Sequence, residues 1–303
     1  MAHKASLPVA PETRRIGLQD WMAQVGDLAG KVQHGWRAEN VHDLRTAIRR
    51  CRTMAEALSE VNPDPGWRKL KKATRKLFRA LGELRDTQVK LLWVKKLGPA
   101  SDALRKEMKG TLELKMSSQR AACEKTLAKF DSKEWRKLSK KLAEKSRFFP
   151  LESVVFQRLA LARLNEAEAL YGLARKGRSR VRWHRLRIGL KQFRYTLENF
   201  LPERGEAWFE ELKRLQDLLG EVHDLDMLRR QIWRHQARVD AAHIERWLAL
   251  IEVRRKRRLA EFVTKVSGAP SLWQSWRDGF RSVPTLQLVS VSATMQAAAQ
   301  SAS

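Results

Sequence analysis

At 303 residues the chain is long enough for one large domain or two ordinary ones, with a substantial core. Its 43 % hydrophobic and 31 % charged residues exclude a disordered chain. With 61 Lys and Arg against 34 Asp and Glu, the net charge of +27 excludes cationic partners and points to polyanions: nucleic acid, polyphosphate or an anionic lipid surface. Cys51 and Cys123 both fall in helical patterns, so no disulfide framework or Cys-based zinc site is expected, and a reducing cytoplasm is the expected compartment. Residues 1–15 lack the apolar run of a signal peptide, and no stretch reaches the ~18 apolar residues of a membrane span, so neither export nor a span is expected.

Taken in order, residues 1–13 read as a disordered tail and residues 14–282 as helices, in halves of about 14–147 and 148–282. Only 15 Gly and 9 Pro interrupt Leu, Ala, Lys, Arg and Glu in 3.6-residue periods, which predicts an all-α fold. Breaks are expected at Asn62–Gly66, Gly98-Pro99, near Asp131, at Pro150, at 177–179, from Pro202 to Gly205 and at Gly268–Pro270. Asp131 and Glu134 form a helix-start pattern. Residues 283–303 read as a poorly ordered tail, with a weak helix over 291–300.

Two blocks recur. Val41–Arg52 lies over Trp183–Arg194 at an offset of 142, from His42 to His184, and shares the pattern His-x2-Arg-x3-(Arg/Lys)-x2-Arg. Leu81–Val89 lies over Leu219–Met227 at an offset of 138, from 81 to 219. Two ordered blocks at nearly equal offsets imply an internal duplication.

With His42 at zero and about 100° per residue, Arg45, Arg49 and Arg52 fall near 300°, 340° and 280°, one cationic stripe. Leu44, Ile48, Cys51, Ala55 and Leu58 take the opposite, core-facing stripe. In the second copy His184, Arg187, Lys191 and Arg194 are the cationic positions, and Leu186, Leu190, Phe193, Leu197 and Phe200 the core. A solvated helix face normally mixes charge signs at i, i+4, whereas these cations repel one another with no acid among them. Arginine dominates both copies, and its planar fork binds phosphate oxygens in a bidentate way. A ligand site is therefore expected, with the two histidines favoured in protonated form by a bound anion. Asn40 is the expected cap of the first cationic helix, placing His42 near free backbone N–H groups.

Lys69, Lys71, Lys72, Arg75, Lys76 and Arg79 precede the first Gly-Glu block, and Lys213 and Arg214 the second, as a further cationic wall. Gly82 and Gly220 predict close helix crossings, and Asp86 and Asp224 predict ion pairs that fix the basic side chains. His223-Asp224 evokes half of a metal site, but the matching position is Arg85, so no metal and no cofactor is expected. His34, His235 and His243 read as ordinary surface or packing residues, and Trp67, Trp93, Trp135, Trp183, Trp208, Trp233 and Trp247 as core. Arg254–Arg258 wraps its charge around a helix and reads as solvated surface.

The paired motifs VHDLRTAIRRCR and WHRLRIGLKQFRYTLENF, followed by LFRALGELRD and LQDLLGEVHDLD, resemble the CHAD family of histidine-containing α-helical domains over roughly residues 25–265. The resemblance implies two four-helix bundles related by a pseudo-twofold axis, with a basic cavity between them that binds inorganic polyphosphate. By motif position, His42, Arg45, Arg49, Arg52, His184, Arg187, Lys191 and Arg194 would line it, with Arg75, Arg79 and Lys213 as secondary positions. Gln192 opposite Arg50 and His223 opposite Arg85 depart from strict equivalence. The Glu-x-Glu-x-Lys strand motif of a triphosphate-tunnel enzyme, carried by some relatives, has no counterpart, because Glu166-x-Glu168-x-Leu170 lacks the lysine and lies in a helix pattern. The expected function is thus non-enzymatic polyphosphate binding in the cytoplasm with recruitment to polyphosphate granules; the alternative is nucleic-acid binding by the same basic surface.

Overall fold

The computed structural model describes residues 17–177, 179–235 and 237–281. The expected tails at 1–13 and 283–303, and the expected helix over 291–300, lie outside these. The described residues are helical throughout, with no strand among them. The first half contributes α1 (Leu18–His34), α2 (Ala38–Val61), α3 (Pro65–Leu97), α4 (Ala103–Ala128) and α5 (Ser132–Ser146). The second contributes α6 (Val154–Arg175), α7 (Arg180–Phe200), α8 (Pro202–Ile232), α9 (Ala241–Val266) and α10 (Leu272–Asp278), with a 3-10 turn at Trp233–His235 after α8.

Local chemistry sets the helix ends. Pro65 occupies the first turn of α3, where it lacks no needed N–H, and the Asp64 carboxylate accepts from the Gly66 amide. Asp131 accepts from the Lys133 and Glu134 amides and starts α5 as predicted. Asp102 accepts from the Arg105 amide to start α4 and also from the Trp247 indole of α9 at 3.1 Å, so one buried carboxylate both caps a helix and joins two. Burial works against its charge, but the Arg105 amide, the Trp247 indole and Arg246 together hold its carboxyl below the usual range.

The sequence-predicted stripes go inside. Leu44, Ile48, Cys51, Ala55 and Leu58 of α2 are buried, as are Leu186, Leu190, Phe193, Leu197 and Phe200 of α7. They belong to a core that runs through both halves, from Met22 and Val25 of α1 to Phe262 of α9 and Trp276 of α10. A second core joins Leu91 and Val94 of α3, Leu104, Met108 and Leu112 of α4, Leu225 and Leu228 of α8, and Ile244, Trp247 and Ile251 of α9. The 33-residue α3 and 31-residue α8 are long enough to serve both. Within each half consecutive helices pack in turn, α1 to α4 and α6 to α9, while α5 returns to α1 and α10 to α6. Across the halves α2 lies on α7, α3 on α8 and α4 on α9. Among the described residues each half thus holds five helices, where four were expected. Polar links also cross: Arg50 of α2 pairs with Glu198 of α7, and the buried Arg163 of α6 with Glu60 of α2 at 2.9 Å.

Several local expectations need correction. The breaks between α1 and α2 and between α8 and α9 were not foreseen, and α8 begins at Pro202, so Gly205 lies inside it. Asn40 does not cap α2, which starts three residues after Gly35; its amide instead donates to the Gly35 carbonyl at 3.0 Å, and His42 sits beyond the first turn. A Cβ on Gly82 would meet the Arg45 guanidinium at 3.5 Å rather than a helix backbone, and one on Gly220 would meet nothing within 4 Å. Trp233 is exposed. Within Arg254–Arg258, Arg255 is buried against Asp226 at 3.0 Å, and Arg254 and Arg258 hold Glu221, leaving Lys256 and Arg257 as the solvated positions.

Candidate functional site

Because α2 and α7 pack side by side with their apolar faces turned into the core, their cationic stripes are brought to one seam. Arg45 and Arg49 come from α2, Arg187 and Lys191 from α7, and all four are half-buried. Burial lowers the proton affinity of each guanidinium first, and the charges then act across the seam: Arg187 on Arg45, and Arg49 on Arg187. Lys191 feels Arg187, Arg49 and Arg45, which together with burial hold its ammonium down at about 7. None of the four forms an ion pair with a described carboxylate, and the Nε donors of Arg45, Arg49 and Arg187 are buried without an acceptor. Such groups carry a desolvation cost that an anion would relieve.

The histidines stand at one end of this group. Partial burial, then Arg85, Arg49 and Arg45, outweigh Asp43 and lower His42. His184 is lowered by burial, Arg187, Arg230 and Lys191. Its Nδ1 lies 3.2 Å from Nδ1 of His223, and the two rings stack at 4.7 Å. Burial, then Arg187, His184, Arg230 and Lys191, push His223 down to about 3.

At the other end the cations are engaged. Arg52 donates to the Lys71 carbonyl at 2.6 Å and to Thr74 at 3.2 Å, and lies over Phe78, which Arg45 also overlies. Arg194 pairs with Glu198 and donates to Gln216 at 3.0 Å. Arg75 is exposed, and its charge reaches Arg52. Arg79 does not join: it projects into solvent and pairs with Glu83 on its own helix. Lys213 is exposed on α8, with nothing that ties it to the cluster. Asp86 and Asp224 likewise form no ion pair with the stripe; their charges reach Arg45, Arg187 and Lys191, and Asp224 accepts from the Trp93 indole at 3.5 Å. Burial raises the Asp224 carboxyl.

Arg85, His223 and Tyr195, which lie beside the candidate cluster, were not among the site residues the sequence suggested. Tyr195 is buried, and its ring lies 5.4 Å from the Arg49 guanidinium and 4.8 Å from that of Arg50. Its helical angle, about 20° from His184, falls beside the cationic stripe and could have revealed it. Lys90 extends the positive region along α3, its ammonium lowered by burial, Lys115, Arg234 and Arg230 against Asp86. No group of three or more His, Cys, Asp or Glu with metal-holding geometry occurs among the described residues, and no helix there is long and apolar enough to cross a membrane.

Fold and site define an all-helical protein with unpaired, half-buried cations gathered between two like helices. The chain belongs to the CHAD domain family, whose family model matches residues 19–233. Among solved structures it is similar to the crystal structure of the CHAD domain from the plant Ricinus communis, with 23 % identity and a TM-score of 0.57 over 89 % of this chain and 91 % of that one, a likeness of fold. No match is found among curated proteins.

Proposed function

We propose that the seam between α2 and α7 binds inorganic polyphosphate without catalysing its cleavage. The observation that carries this is the set of four cations, Arg45, Arg49, Arg187 and Lys191, facing one another from both helices with no carboxylate partner. A phosphate chain supplies a charged, multiply accepting oxygen cluster at each link, so neighbouring phosphates can satisfy both helices at once. Each charge-assisted hydrogen bond is worth roughly 1.5–3 kcal/mol, and several act in concert. His42 and Arg85 on one helix pair and His184 on the other continue the track at one end. Arg52, Arg194 and Arg75 extend it at the other, while Arg79 and Lys213 contribute general attraction only.

Titration calorimetry against orthophosphate, a short chain and a long chain tests the proposal, with affinity expected to rise steeply with length. Equal affinity for orthophosphate and the long chain overturns it. Duplex DNA displacing the long chain at near-physiological salt would favour the nucleic-acid alternative. In a polyphosphate-accumulating cell the protein is expected in the cytoplasm, concentrated on the granules.

A further inference from the structure

Lys191 is a single amine set among guanidiniums. It is the one lysine of α7 and is half-buried, with Arg187 a turn before it and the charges of Arg45 and Arg49 reaching it from α2. No described residue accepts a hydrogen bond from its ammonium. The carboxylate whose charge reaches it, Asp224 of α8, is taken up by the Trp93 indole. His184 of α7 and His223 of α8 complete the surroundings, and both are held below the usual histidine value. Nζ of Lys191 is not enclosed, in contrast to Nε of Arg45, Arg49 and Arg187. The terminal Nη groups of Arg45 and Arg187 are open as well and hold no hydrogen bond to a described residue, whereas Nη2 of Arg49 donates to Thr46 at 3.3 Å. A small molecule arriving from solvent therefore meets an amine and guanidinium N–H groups together.

An amine reacts only as the free base, and cationic neighbours favour that form. With Lys191 held at about 7, about half of it is free amine at neutral pH, whereas an ordinary lysine is almost wholly protonated. The same guanidiniums favour an anion formed at that nitrogen. These two properties select a neutral electrophile whose adduct is anionic. Dissolved carbon dioxide meets both conditions; an aldehyde adduct would offer the guanidiniums no negative charge.

We infer that Lys191 is a carbamylation site, where carbon dioxide adds to the amine and the open Nη groups of Arg45 and Arg187 hold the resulting carbamate. The nitrogen lone pair forms the N–C bond, one C=O electron pair moves onto oxygen, and a proton leaves the nitrogen for solvent. No oxidant, reductant or leaving group is required. An unpartnered cation becomes an anion bonded to two arginines. The carbamate itself needs only the cation cluster, while its regulatory effect rests on the polyphosphate reading: bound phosphate keeps Lys191 protonated and unreactive, and the carbamate repels phosphate.

Equilibrating the full chain with carbon-labelled bicarbonate, detecting the carbamate by NMR and trapping it with triethyloxonium ion for peptide mass mapping tests the inference. Occupancy at Lys191 is expected to exceed that at the exposed Lys69 and Lys72 by about tenfold or more, the worth of a charge-assisted hydrogen bond. Lys191→Arg keeps the positive charge without a free base and should carry no label. Arg45→Gln and Arg187→Gln keep the amine and should each lower occupancy about tenfold. Long-chain polyphosphate should suppress labelling of the parent. Mapping on the parent chain is decisive by itself if a variant does not fold. The inference is overturned if Lys191 is labelled no more than Lys69 and Lys72, if both glutamine variants are labelled as the parent is, or if bound polyphosphate leaves the labelling unchanged. Absent labelling with polyphosphate binding intact in calorimetry removes carbamylation alone; labelling at Lys191 without polyphosphate binding removes the polyphosphate reading and leaves the carbamate standing.

Discussion

Lys191 is the residue on which the chemistry of the seam turns. Its ammonium is held at about 7 by burial and by Arg187, Arg49 and Arg45, well below the ordinary lysine value. A phosphate placed among these groups favours the charged form and raises that value. Above pH 7 binding must therefore take up a proton at Lys191, and affinity should increase as pH falls towards about 7; below that, His42 and His184, lowered in the free protein, carry the further rise. Calorimetry at pH 8 in buffers of different ionisation enthalpy measures the uptake, and Lys191→Met should remove most of it. The arginines differ among themselves. Arg49 has no carboxylate partner and is expected to lose about 10- to 100-fold in polyphosphate affinity on replacement by alanine. Arg79 and Lys213, exposed in solvent, should each cost less than about twofold, which a parallel titration checks. The stripe itself was legible in the sequence because helical angle alone aligns His42, Arg45 and Arg49. Which members are already occupied was not, because Thr74 and the Lys71 carbonyl reach Arg52 from α3, and Gln216 reaches Arg194 from α8.

At the scale of the helices, breaks marked by proline, by clustered turn residues or by a capping box were legible, whereas the Asp240 cap of α9 passed unread. Asp131 announced α5 because a carboxylate cap acts within a few residues, whereas Asn62–Gly66 read only as a break, although Asp64 and Pro65 start α3 by the same local chemistry and Gly66 lies inside it. The start of α2 carries no such cap at Arg37, and the break before it passed unseen. Gly82 shows how a correct observation can carry the wrong cause. Its conspicuous place in an apolar helix suggested a helix crossing, yet the neighbour is the Arg45 guanidinium at ordinary contact distance. Gly82→Ala is therefore expected to raise stability by about 1 kcal/mol through helix propensity, read from the denaturation midpoint, and to leave polyphosphate affinity within about twofold. Asp102 is a tether of a different kind, joining α4 to α9 through Arg105, Arg246 and Trp247. Its replacement by alanine removes a cap and strands a buried indole N–H, a loss of about 2–4 kcal/mol. Thermal unfolding should reveal that loss while affinity for polyphosphate stays constant, since the partners of Asp102 are Arg105, Arg246 and Trp247 and none of the four seam cations.

For the whole molecule, the net charge of +27 and the seam do separate work. Exposed cations such as Lys256 and Arg257 act at a distance, through a field that falls off over a Debye length of about 8 Å at physiological ionic strength. On the proposed function they would set how often a polyanion arrives. Arg45, Arg49, Arg187 and Lys191 would act at contact, where burial limits screening, and would set how long it stays. The two contributions can be separated kinetically. Changing Lys256 and Arg257 together to glutamate should slow association with long-chain polyphosphate severalfold at low salt, with the difference shrinking as salt rises and dissociation unaltered. Arg49→Ala should leave association nearly unchanged and speed dissociation about 10- to 100-fold. Stopped-flow or surface-based kinetics over a salt series distinguishes these outcomes. If both variants changed association alone, the ligand would be held by the diffuse surface charge, and the convergence of α2 and α7 would have no part in binding.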